Sequence, residues 1–514
     1  MNFYTSDPTT NKSMSYPYCV LTKNNWNDWG FLTTFSLSLY LSPDKEPDCI
    51  GMVKIGKKNM PLPPSYAIEE RTELPPSFTE LDRTFFSVGV SNDYYKKIHD
   101  ISLSSANARD QILSALKDIV FDKQIYFGNQ EEPVMIHSLM RDTSFKTIKD
   151  VYSQVLETGK ESLTEYKISI RLINEISKTP MTFNVSPQVL PQSNIHALIG
   201  RNGVGKTNLF RSIIFNLTNS EDPSPEANVV EEIQGTSDIS SVLALSYSLF
   251  DTTLPRKSIS APIPYRYIGF SKEISSSDLH PKSLTDFIVS EFIDCVNYIR
   301  ERTYLHELLG HCLDTLNSDP MFNSLHVFNW FSASNREKLK PVYEHLSSGH
   351  KIVLLSLLEL IIHIEANSVV LIDEPEQNLH PPLISSFIQA ILSILKMRNA
   401  IAIIATHSPV VVQECAKENT WILNRSGGLL RINRPKIKTF GANVGQITYD
   451  VFDLEVEKSG YMAVINQVIN DSNAPNDFND IVAKFQNKLG DESMNRIASL
   501  LYQKKQDSKN ETDK

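Results

Sequence analysis

The residues with the most chemical content form one short glycine-rich run. Gly200-Arg201-Asn202-Gly203-Val204-Gly205-Lys206-Thr207 fits the spacing G-x-x-x-x-G-K-[ST]. Such a loop curls its backbone N–H groups around phosphate oxygens, which side chains at Gly203 and Gly205 would obstruct. Lys206 would neutralise the terminal phosphates, the Thr207 hydroxyl would ligate Mg²⁺, and Asn202 and Asn208 flank the cradle. An apolar strand over Ile195–Ile199 and a helix from Asn208 to Leu217 must position the loop, so that the helix N-terminus faces the anion. Three of the chain's 19 glycines fall in this run, and average usage would give about 36 in a chain this long.

A second acidic element lies far downstream. Ser368–Glu374 reads as four apolar residues ending in Asp373-Glu374, the pattern of a buried parallel strand with carboxylates at its C-terminal edge. Asp373 could complete a Mg²⁺ shell and Glu374 could polarise an attacking water. Leu346-Ser347-Ser348-Gly349-His350 leads into an apolar helix over Val353–Ile362. It reads either as an anion-facing serine–glycine turn or as a plain serine N-cap. A further buried strand, Ile401–Thr406, ends in His407-Ser408-Pro409, and the intervening residues suit one helical crossover.

These four elements, in this order, resemble the ABC-type ATPases of the overcoming-lysogenisation-defect (OLD) class, relatives of SMC and recombination-repair ATPases. The resemblance covers about residues 165–425 and implies an α/β core with a mainly parallel sheet. Ser347-Ser348-Gly349 would be the signature, with Ser348 and His350 standing where the family pattern has glycine and glutamine. The signature would face the nucleotide of a second copy, and His407 would sense the γ-phosphate. Catalytic roles fall on Lys206, Glu374 and His407, and metal binding on Thr207 and Asp373, with ATP and Mg²⁺ as cofactors. The residues between Thr207 and Leu346 are too few for an SMC-like coiled coil. No acidic set after His407 suggests a TOPRIM nuclease domain.

The stretch Thr439–Gln446, followed by Val451–Tyr461 and combined with a long leader, resembles the ATPase subunit (PtuA) of Septu-type antiphage systems, some of them retron-associated. That resemblance implies homo-oligomers built on head-to-tail ATP sandwiches and a separate HNH nuclease. It also implies DNA contact through the complex, with a retron reverse transcriptase and msDNA as further partners. Two other readings stay open: a RecF-type repair ATPase, and a nucleotide-gated scaffold that restrains a toxin or nuclease. No glutamine or adenine-stacking aromatic can be assigned after the strand Ser241–Ser246.

Composition bounds the rest. The chain has 514 residues, 41% hydrophobic and 21% charged, a globular profile with room for about three folding units. Its net charge of −10 opposes a general nucleic-acid binder. Residues 419–449 contain no acid and five bases (Arg425, Arg431, Arg434, Lys436, Lys438), the best local candidate for nucleic acid or an acidic partner, or else the solvated face of a hairpin. Five scattered cysteines suggest a reducing, cytoplasmic setting. The N-terminus shows no signal-peptide pattern, and no apolar run could span a membrane. His306 and His311 miss the zinc-protease spacing, because five residues set them about 140° apart round a helix. The expected division is an α+β leader over 1–160, an ATPase core over 161–425 with a helical insertion near 275–345, a helical region over 426–502, and a flexible tail over 503–514. Within the leader, strands are expected at Phe31–Leu41 and Ile50–Ile55, then helix from about Leu81 to Lys160.

Overall fold

The computed structural model describes residues 1–512 except 6–14, 29, 65–67, 105, 142, 144, 146, 160–162, 174, 176–178, 222–223, 225–226, 247–252, 256–258, 260–262, 270–280, 301–304, 326–335, 378, 427–428, 459, 471–476 and 487. Trp29, singled out by the sequence, and the six residues after Ser246 therefore lie outside the described residues.

The site rests on a seven-stranded sheet. Its strands in chain order are β1 (Ile195–Gly200), β2 (Val242–Ser246), β3 (Tyr265–Gly269), β4 (Val369–Asp373), β5 (Ile401–Thr406), β6 (Thr420–Ser426) and β7 (Leu429–Asn433). The spatial order is β3-β2-β4-β5-β1-β6-β7. Every pairing is parallel except the β6–β7 hairpin. Parallel strands buried on both faces read as unbroken apolar runs, and β4 and β5 are buried at every position. The pleat then sorts alternate residues to opposite sides. Val369 and Leu371 face one core and Val370 and Ile372 the other.

One face of the sheet carries helix α1 (Lys206–Thr218). Above it lies a three-stranded antiparallel sheet in which Tyr166–Leu172 is flanked by Met181–Val185 and Val230–Gln234. Leu209, Phe210, Ile213 and Ile214 of α1 share a core with Ile168, Ile170 and Phe183 of that sheet. The opposite face carries α2 (Ser348–His363), α3 (Pro381–Met397) and the helices Pro281–Arg300 and Leu305–Leu316.

The leader has its own core. Thr34–Tyr40 and Asp48–Lys57 pair antiparallel within a six-stranded sheet, with Phe35, Leu37 and Leu39 turned inward by the period-two alternation. The expected helical stretch starts later than the sequence suggests. Phe85–Gly89 is a sheet strand, buried at every position, that completes the edge beside Asp48–Lys57, and helix begins at Asn92. The leader touches the core through Trp26, edge-on to Tyr298 at 4.6 Å, and through Thr147, whose hydroxyl donates to Glu365 at 2.7 Å.

Two boundaries differ from the expected division. The core sheet runs to Asn433, since β6 pairs with β1 and carries β7 with it. A single helix, Asp491–Thr512, runs through the segment read as a tail, and Ile497 and Leu501 anchor its first half against Met462, Ile465, Ile469 and Ile481.

Candidate nucleotide site

Two glycines shape the cradle, and a third lets it close. Gly203 and Gly205 adopt φ of 75° and 107°, the left-handed region, and a Cβ at either would meet no atom within 4 Å. Their open sides form the concavity an anion needs. Gly200 serves packing instead, since a Cβ there would stand 2.4 Å from the Leu423 carbonyl oxygen on β6. The loop ends at Lys206, the first residue of α1, and the N-terminal amides of that helix face the same space.

Residues from the loop after β1, the start of α1, the end of β4 and the segment after it meet in one cavity of about 390 Å³, whose lining includes Gly203, Gly205, Lys206, Thr207, Asp373 and Glu374. Thr207 donates its hydroxyl to Asp373 Oδ2 at 2.9 Å. That pairing brings together the two oxygens that could share a divalent cation. The buried Lys206 ammonium donates to the carbonyls of Gly200 (3.0 Å) and Arg201 (3.2 Å), and stands 3.6 Å from Glu374 Oε1. These carbonyls hold the cation at the mouth of the cradle. The open glycine cradle, the buried cation and the hydroxyl–carboxylate pair fit a Mg²⁺-bound nucleoside triphosphate.

Glu374 sits at φ 46°, a backbone strain of about 1–3 kcal/mol for a residue with a side chain. Its amide is held by the Ala405 carbonyl at 2.9 Å, and Gln377 donates to its Oε2 at 2.8 Å. The strained turn aims the carboxylate into the cavity. Glu376 does a different job, which the sequence did not reveal. Its Oε1 accepts from the Thr406 hydroxyl (2.6 Å) and the His407 amide (2.8 Å), and lies 3.1 Å from His407 Nδ1. His407 Nδ1 is also 3.7 Å from Glu374 Oε1. Glu376 thus fixes the end of β5 and points His407 toward Glu374.

Lys206, Thr207, Asp373 and Glu374 therefore converge on the cavity, and His407 reaches Glu374 from outside its lining. The cavity lining does not include Ser347, Ser348 or Gly349, which begin α2 elsewhere on the surface of the core. Ser347 caps that helix, accepting from the His350 amide at 3.3 Å. Asn202 and Asn208 line the cavity, as do Thr253 and Gln377, which carried no recognisable spacing.

Over 94% of both chains, this protein is 31% identical to protein ea59 of Escherichia phage lambda. The chain belongs to the ea59 family. Residues 276–413, from the helical segment through the signature, β4 and β5, match the family described as "AAA domain, putative AbiEii toxin, Type IV TA system". Among solved structures, an ATP-binding cassette of an ABC transporter in its ADP conformation is 12% identical. It covers 57% of this chain and 99% of its own, at a TM-score of 0.29. An SmcHead bound to the C-winged helix domain of ScpA is likewise 12% identical, covering 52% and 97%, at a TM-score of 0.26. The sheet order, the glycine cradle and the Thr207–Asp373 pair described above make the central domain a mainly parallel α/β fold of the P-loop kind.

The weaker sequence signals resolve locally. Arg434 is a packing residue. Its guanidinium stacks 3.5 Å from the Trp421 ring and donates to the carbonyls of Thr420 (3.1 Å) and Thr182 (3.2 Å). Burial lowers its pKa to about 10, so it stays charged at neutral pH. Arg425, Arg431, Lys436 and Lys438 remain exposed on and beyond the hairpin. His306 caps the carbonyl of Ile299 at 3.2 Å, a structural contact. All five cysteines are free thiols, and no helix of the described residues is long and apolar enough to cross a membrane.

Proposed function

We propose that this protein binds Mg²⁺·ATP and hydrolyses it, with two copies closing head to tail over the nucleotide. The convergence of Lys206, Thr207, Asp373 and Glu374 on one cavity, with His407 3.7 Å from Glu374 beside it, carries this reading. Lys206 binds the phosphates, and Thr207 and Asp373 hold the divalent cation, which supplies charge neutralisation when bound. Glu374 accepts the proton of the attacking water, and His407, set by Glu376, steadies that carboxylate and contacts the terminal phosphate. Ser347 and Gly349 of a second copy complete the site, since those of the same copy lie outside the cavity lining.

At the cellular level, the reading is an ATPase subunit of an antiphage complex that controls a separate HNH nuclease. Supporting it are the resemblance of Thr439–Gln446, Val451–Tyr461 and the leader to Septu-type subunits and the toxin–antitoxin description matched by residues 276–413. The net charge of −10 also favours DNA contact through a partner. Mass measurement with ATP and Mg²⁺ tests the assembly. Dimers or larger forms should appear with the Glu374→Gln chain and vanish with Lys206→Ala. A monomer under all conditions refutes the sandwich. Co-expression with a genome-adjacent HNH protein, followed by affinity capture, tests the partnership.

A further inference from the structure

Outside the nucleotide cavity, one cluster joins three segments that are distant in sequence. Asp319, His350 and His380 each offer one ligand atom, and these atoms lie within 4.8 Å of one another. Asp319 and His350 are buried and His380 is exposed. Asp319 precedes the short helix Pro320–Leu325, His350 lies in the first turn of α2, and His380 is the N-cap of α3.

We propose that these three side chains form a site for a divalent transition metal of the zinc class. Two imidazoles and one carboxylate are the donor set such a cation prefers, with a fourth position left for water or an incoming ligand. His350 Nε2 and Asp319 Oδ1 are already 3.3 Å apart, close to the edge of a tetrahedron with metal–ligand bonds of about 2 Å. His380 must close the rest. Its exposure allows that movement, and the bond to its side chain from the Leu383 amide to Nδ1 is long at 3.3 Å. The Phe322 ring stands edge-on to His350, with centroids 5.1 Å apart, and walls the cluster on one side.

The outer contacts match those of a ligating histidine. His350 Nδ1 lies 2.6 Å from Ser347 Oγ, which fixes the ring so that Nε2 faces Asp319. This coupling has a consequence for the signature, and that consequence, unlike the metal site, rests on the role proposed for Ser347. In the metal-free neutral ring, Nε2 carries the proton facing the carboxylate, so Nδ1 accepts the proton of Ser347. A metal at Nε2 moves the ring proton to Nδ1, which then donates to Ser347 Oγ. The serine proton is thereby released toward an anion outside. The metal would also tie α2 to α3, the helix that follows Glu374.

The test uses the full chain, stripped with chelator and titrated with Co²⁺ and Zn²⁺. Wild type should bind one Co²⁺ per chain with the intense visible absorption of four-coordinate cobalt, displaced by Zn²⁺. His380→Ser keeps a helix-capping oxygen and removes the imidazole. It should lose the band or weaken binding at least about tenfold, while the metal-free variant melts like metal-free wild type. Asp373→Asn, which alters the Mg²⁺ position, should keep the band. Absence of the band in wild type, or unchanged binding in His380→Ser, overturns the metal site. If the metal binds but ATP-driven dimerisation is the same with and without it, only the link to Ser347 fails.

Discussion

Two glutamates follow Asp373, and the structure gives them separable duties. Glu374 faces the cavity at 23% side-chain exposure, whereas Glu376 is 6% exposed and holds Thr406 and His407. Glu374→Gln preserves size, the strained turn and a partner for Gln377, and removes only the carboxylate charge. A positioned general base contributes about 10²–10⁴-fold to rate, equal to about 3–5.5 kcal/mol of barrier. Turnover of Glu374→Gln should fall by that factor. Nucleotide affinity should hold or rise. At 3.6 Å, the Lys206–Glu374 attraction is about 4–5 kcal/mol gross at an effective dielectric of 20, before solvent screening. Removing it leaves Lys206 free for phosphate. Glu376→Gln should behave differently. It weakens three contacts at one oxygen, so it should lower the melting temperature and misplace His407, with both affinity and turnover reduced. Steady-state phosphate release, fluorescent-nucleotide binding and thermal melting separate the two patterns. Normal turnover in Glu374→Gln, or loss of binding with it, would refute the assignment of the base.

Other outcomes follow from local geometry. Gly200→Ala must push a Cβ against the Leu423 carbonyl and should destabilise by about 1–3 kcal/mol, read by denaturant melting, before nucleotide is added. Gly205→Ala meets open space but the wrong backbone region, so nucleotide binding should suffer more than stability. Arg434→Lys loses the planar stack on Trp421 and part of the fork to Thr182 and Thr420, and should cost about 1–2 kcal/mol while leaving ATP affinity unchanged. Asp118 is fully buried, and desolvation raises its pKa to about 7 against the opposing bonds from the Val120 and Phe121 amides and the Tyr95 hydroxyl. The folded state therefore holds this proton more tightly than the unfolded state, and the group's contribution falls as pH rises from about 4 to about 7. Relative to wild type, Asp118→Asn should look better at pH 8 than at pH 5 by about 3 kcal/mol, measured by urea unfolding at both values.

Sequence by itself determined the parts whose chemistry is local. The phosphate loop was legible because tight backbone curvature demands glycine at fixed offsets, and β4 and β5 because a strand buried on both faces must be apolar at every position. The order of motifs along the chain carried the ABC-type core. Long-range arrangement was not legible. Nothing in the spacing said that β6 would pair with β1 and draw the β6–β7 hairpin into the sheet, or that Arg434 would turn inward onto Trp421, because a partner across a sheet leaves no mark at fixed sequence distance. Nor could spacing show what Glu376 does, two residues beyond the acid expected to act on water. Its contacts to Thr406 and His407 at the end of β5 come only with the fold. The same holds for Asp319, His350 and His380. They belong to three segments with no shared period, and only the packing of α2 and α3 against the helical segment brings their donor atoms together.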